Sequence, residues 1–133
     1  MKRSYIGLAM GVLVMVAALF ALPSCGFERR LVSITINPPG ATIAGPGVTV
    51  NFQAIGTYIH PPDQRDITDS VVWTSAAPDV ISIVSNTGVA MSKFACGTNI
   101  TITATAYSDP QNHSGSVVVG TASVTVTQPP GVC

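Results

Sequence analysis

The chain has 133 residues, and six Lys and Arg balance six Asp and Glu to a formal charge of zero. Only 9% of residues are charged while 47% are hydrophobic. That leaves no basic face of the kind nucleic acid requires, and solubility has to rest on Thr, Ser, Asn and Gln.

The first residues divide from the rest by composition. Lys2 and Arg3 head an apolar run, and no charged residue occurs from Tyr5 to Leu22. A basic head before an apolar stretch is the pattern of an export signal, and the run is also close to the roughly 20 residues that span a bilayer. The next four residues separate these two readings. Leu22-Pro23-Ser24-Cys25 resembles the lipobox of bacterial lipoproteins, with an aliphatic residue three before the cysteine and a small one directly before it. The resemblance implies cleavage between Ser24 and Cys25, a diacylglyceryl thioether on Cys25 and acylation of the new amine. Two or three acyl chains make a stable anchor where one does not. Pro23 departs from the usual small residue, and Arg29 and Arg30 weaken the orientation bias. An uncleaved signal anchor with Cys25 as a bystander is the competing expectation.

Residues 1–24 are therefore expected as signal peptide, 25–30 as lipidated linker, 31–127 as the folded domain and 128–133 as a tail. The chain beyond the signal carries four cations (Arg29, Arg30, Arg65, Lys93) against six acids, a net charge of −2. It has one domain's length, enough to bury roughly two thirds of its unfolded surface.

From Leu31 onward the apolar residues alternate and helix signals are absent. Val32, Ile34 and Ile36 predict one face of a first strand, which Pro38-Pro39-Gly40 stops. Ala41-Thr42-Ile43 reads as a continuation that switches partner. Val48 to Ile59 predicts a single long strand with Val48, Val50, Phe52 and Ala54 on one face. His60 to Asp66 reads as a proline-stiffened loop. Strands come next at 70–75, carrying Trp73, at 80–84, and at 89–94 after the turn Asn86-Thr87-Gly88. Thr98 to Tyr107 alternates throughout, Ile100, Ile102, Ala104 and Ala106 against threonines and Tyr107. In the last strand, 116–127, the apolar phase runs through Val117 and Val119 and then slips by one at Gly120, which predicts a β-bulge there.

About seven to eight short strands in a hundred residues describe an all-β, immunoglobulin-like two-sheet sandwich behind an N-terminal signal segment. The order Val32-Ser33-Ile34-Thr35-Ile36, Phe52 to Tyr58, Asp66-Ile67-Thr68, Val72-Trp73-Thr74-Ser75, Pro78-Asp79-Val80-Ile81, Gly88-Val89 and Gly97-Thr98 before Ile100 to Thr105 resembles the bacterial Ig-like group 2 family across residues 31–127. Such domains recur in adhesins and as accessory modules of surface proteins, so the resemblance implies a structural, adhesion or protein-interaction role without catalysis.

In a sandwich, strands 98–107 and 116–127 form an antiparallel hairpin. Cys96 then lies beside the root of the tail that carries Cys133, close enough for the Cα separation of about 5.5 Å that a disulfide needs. With Cys25 acylated, Cys96 and Cys133 are the expected pair in an oxidising compartment.

Catalytic chemistry lacks residues. No Gly-x-Ser-x-Gly elbow occurs, and Glu28 is the only glutamate, leaving no paired carboxylates for a glycosidase. His60 and His113 fall in loops and read as solvated. Asp63, Asp66 and Asp69 recur every third residue, but the spacing is not that of an EF-hand; Asp66 with Thr68 reads as closing a turn. Calcium binding by this loop stays open, and no metal or cofactor is expected. A surface carbohydrate-binding module is the alternative function. It needs an exposed aromatic platform, for which Tyr107 and Tyr58 are the candidates. The expected partners are the membrane, through the lipid, and an envelope protein or surface polysaccharide, docked at loops or an edge strand. The expected location is the cell envelope. Gly26 after the cysteine is not the aspartate that retains some lipoproteins at the inner membrane, which favours the outer membrane where one exists.

Overall fold

The computed structural model describes residues 28–131. Ten strands run β1 Arg30–Asn37, β2 Gly40–Ala44, β3 Thr49–Asn51, β4 Gln53–Ile59, β5 Asp63–Asp66, β6 Val72–Ser75, β7 Ile81–Ile83, β8 Val89–Ser92, β9 Gly97–Asp109 and β10 Ser114–Thr127. One sheet has the order β2-β10-β9-β6; the opposing strands form β1-β4-β5 and β3-β8-β7. β3 and β4 follow one another across Phe52, whose N–H still donates to Gly88 O at 2.9 Å. The chain thus changes partners at Phe52, and the expected single strand over 48–59 is two. With β1, β3/β4, β7 and β8 in one layer and β6, β9 and β10 in the other, the strand arrangement is that of an immunoglobulin-like sandwich.

The switch expected after Pro38-Pro39 is present. β1 pairs antiparallel with β4, whereas β2 crosses to the other sheet and pairs in parallel with β10, Val124 opposite Ala41 and Val126 opposite Ile43. The core between the layers holds Ile34, Ile36, Ile43, Phe52, Trp73, Ile81, Ile102, Val124 and Val126, all buried. Trp73 sits at its centre. Its ring lies 6.4 Å from that of Phe52 at 35°, and its indole N–H donates to Thr68 O at 2.8 Å. A Cβ on Gly88 would stand 2.4 Å from Phe52 O and 3.1 Å from the indole, at a φ of +69° that side chains avoid. The 86–88 turn therefore needs glycine for both space and conformation.

Three further expectations are corrected. The His60–Asp66 segment is not all loop, because Asp63–Asp66 returns as β5 against Ile55–Tyr58. In β1 the register shifts between Leu31 and Ser33, so Leu31 enters the core and Val32 turns outward at 45% exposure. No bulge occurs at Gly120: β9 and β10 stay in register from Val117 opposite Tyr107 to Val124 opposite Ile100. The buried phase is Gly120, Ala122, Val124 and Val126, with Val118 half-buried ahead of it. Val117 and Val119 face outward instead. Gly120 is required by close approach, since a Cβ there would lie 2.7 Å from the backbone oxygen of Ile34 on β1.

Candidate interaction surface

The outward phase of β10 builds an apolar patch on the outer face of the β6-β9-β10 sheet. Val72 on β6 stands opposite Thr105 on β9, and Thr105 stands opposite Val119 on β10. The next row places Tyr107 opposite Val117. Val72 and Val117 are each 58% exposed, Val119 52% and Tyr107 43%. A groove of about 380 Å³ runs beside Tyr107, with Val72, Val117, Pro110 and His113 among its walls. His113 meets the Tyr107 ring edge-on, centroids 6.4 Å apart at 89°.

The β9–β10 turn positions that histidine. The Asp109 carboxylate accepts from Asn112 N–H at 3.2 Å, Asn112 Nδ2 at 2.7 Å and Ser114 Oγ at 3.4 Å. His113 at φ 48° and Gly115 at φ 88° then reverse the chain. Bonding to Asn112 holds the Asp109 carboxyl below the usual carboxylate range.

A second cleft, of about 450 Å³, opens at the same end of the sandwich. It gathers the start of the described chain (Glu28, Arg29), the β4–β5 turn (His60, Pro61) and the β9–β10 turn (Asp109, Asn112). Tyr58 borders this cleft but is only 7% exposed, and burial raises its hydroxyl pKa. Its ring cannot present a flat platform, so of the two tyrosine candidates Tyr107 alone keeps an accessible face.

The three aspartates of the 63–69 segment serve three separate local roles. Asp63 pairs with Arg65 at 2.7 Å. Asp66 accepts from the Thr68 hydroxyl at 2.6 Å, Thr68 N–H at 3.0 Å and Gln53 Nε2 at 2.6 Å. Thr68 Oγ1 in turn accepts from Ala54 N–H at 2.9 Å. Asp69 accepts from Ser70 Oγ at 3.0 Å. Asp66 thus closes the turn whose next carbonyl holds the Trp73 indole. Among the described residues no group of three or more His, Cys, Asp or Glu is placed to hold a metal ion.

Hydrogen bonds from the Thr68 hydroxyl, then Gln53, hold the Asp66 carboxyl below its ordinary range. A carboxylate whose pKa is lowered on folding stabilises above its unfolded pKa of about 4, and the contribution is lost as pH falls through the folded value. The melting temperature of the domain should therefore be flat near neutrality and drop below about pH 4. Asp66→Asn should lower it at neutral pH and shrink that acid-side drop; a variant profile superimposable on the parent's would contradict the turn-closing role.

Cys96 is half-buried at the foot of β9, and its sulfur is engaged rather than free. Ser24, Cys25 and Cys133 lie outside the described residues. Val126 pairs with Gly97, and Gln128 Nε2 donates to Lys93 O at 2.9 Å and Ala95 O at 3.2 Å. Gln128 is thereby held beside the loop that carries Cys96. Among the described residues no helix is long and apolar enough to cross a membrane.

No family model and no curated protein matches the sequence. Among solved structures, mouse cadherin-23 EC22-24 superimposes with a TM-score of 0.47 at 13% identity, over 72% of this chain and 30% of that one. The chain thus spans under a third of that structure's length.

Proposed function

We propose that this chain is a lipid-anchored, non-catalytic module of the bacterial Ig-like group 2 type, which works at the cell envelope through the outer face of its β6-β9-β10 sheet. The observation that carries the proposal is the convergence of Val72, Tyr107, Val117 and Val119 on one exposed face. Apolar side chains gathered on one face mark interaction sites, whereas scattered ones do not. Around this face the carboxylates are tied into turns, and the histidines sit in separate turns at 60 and 113. Cys25 supplies the anchor, and Cys96 pairs with Cys133 across the foot of the β9–β10 hairpin.

A photo-crosslinking residue at position 119 tests the surface in intact cells. It should give a discrete adduct with whatever covers the face, and a residue at position 94, at the opposite end of the β9–β10 hairpin, should give none. Absence of adducts at 119 would refute the assignment. A second reading, surface polysaccharide binding, rests on the accessible Tyr107 ring beside the groove, and a glycan array without hits would remove it.

A further inference from the structure

We infer that the occupant of the apolar face is the bilayer itself, so that the domain lies on the membrane rather than standing away from it. This rests on the lipid-anchor reading above. Four residues separate Cys25 from Arg30, where β1 begins, and the five steps between those two residues reach at most about 18 Å when fully extended. The start of β1, the β4–β5 turn and the β9–β10 turn all meet at one end of the sandwich, and that end is the one held to the membrane.

The apolar face lies at the same end. Tyr107 and Val117 flank the β9–β10 turn directly. A shallow groove brings Val119 alongside Val32, the residue turned outward by the β1 irregularity, with Arg30 at its rim. Val32, Val72, Tyr107, Val117 and Val119 thus form a band across the anchored end. No Asp, Glu, Lys or Arg lines the groove beside Tyr107, and His113 is the one basic side chain in its wall. Valines with a tyrosine among them suit the boundary between headgroups and acyl chains, where apolar faces sink about 5–10 Å. Phe94, 82% exposed, lies near the C-terminal foot of β10, where Gln128 bonds Lys93 O, and would point away from the bilayer.

Brominated lipids test this geometry. The full-length protein, purified from membranes, is first weighed to establish acylation, then reconstituted into vesicles of phosphatidylethanolamine and phosphatidylglycerol with or without brominated acyl chains. The parent, whose tryptophan is the buried Trp73, is measured in the same vesicles and its emission subtracted. In Tyr107→Trp the added indole should be blue-shifted and its emission cut about two-fold or more by brominated lipid, since the label sits at the acyl boundary. In Phe94→Trp the emission should be unaffected. An acylated protein in which neither position is quenched overturns the membrane-facing arrangement and leaves the anchor standing. A blue shift at 107 without quenching means that a second copy of the chain covers the face, which also overturns it. A chain without acyl groups overturns the anchor reading and this inference together.

Discussion

Trp73→Ala should cost about 3–5 kcal/mol, the range for removing a large aromatic from a core that cannot collapse around the void. A domain of this size is stable by only about 5–15 kcal/mol, so the melting temperature should fall by some 15–30 °C when followed by circular dichroism. The size of the effect comes from position. Trp73 is 1% exposed, touches Phe52 where the chain changes partners, and packs under Gly88. Its N–H is also the last link of the chain Gln53–Asp66–Thr68–Trp73. Trp73→Phe should recover most of the packing and leave Thr68 O without its donor, a loss of about 1–3 kcal/mol. Equal losses for the Ala and Phe variants would contradict a packing role and assign the effect to the hydrogen bond.

The second large effect belongs to the proposed Cys96–Cys133 bridge. Residues 96 and 133 are 37 apart in sequence, and closing a loop of that length is worth about 4 kcal/mol in the chain-entropy model. Cys96→Ser should therefore lower stability by nearly that amount, and reductant should do the same to the parent and nothing to the variant. Intact mass should rise by two hydrogen atoms on reduction. An unchanged mass would remove the bridge.

Regular alternation is legible wherever one face of a strand is buried. Ile100, Ile102 and Ala104 on β9 and Val71 with Trp73 at β6 fall on the core side as the pattern predicts. The jump of residues 41–43 to a new partner is legible because Pro38 and Pro39 cannot continue a paired strand. Other features are not legible, for physical reasons. Valine favours either face of a strand, so the run Ser116–Val119 carries two possible phases, and the one through Val117 and Val119 is the solvent-facing one. The glycine after that run marks where β1 crosses close, an event of tertiary packing that a one-dimensional pattern reads as a slip. Asp63–Asp66 carries only polar side chains and no buried apolar phase, and so resembles a loop. The interaction surface is the least legible part. Tyr107 stands out because it lies in phase with threonines, but Val72, Val117 and Val119 gain meaning only once three strands lie side by side. Tyr58 falls in the core phase of Phe52 and Ala54, and the structure puts it there.

The proposed anchor at Cys25 would decide where this surface works. Intact mass and membrane retention of the chain expressed in bacteria, compared with Cys25→Ser, test it most directly. The parent should begin at Cys25, carry diacylglyceryl and amide-linked acyl groups and sediment with membranes, and the variant should be left unprocessed or released. A parent that keeps residues 1–24, and a variant equally membrane-bound at an otherwise unchanged mass, would contradict it and establish an uncleaved signal anchor.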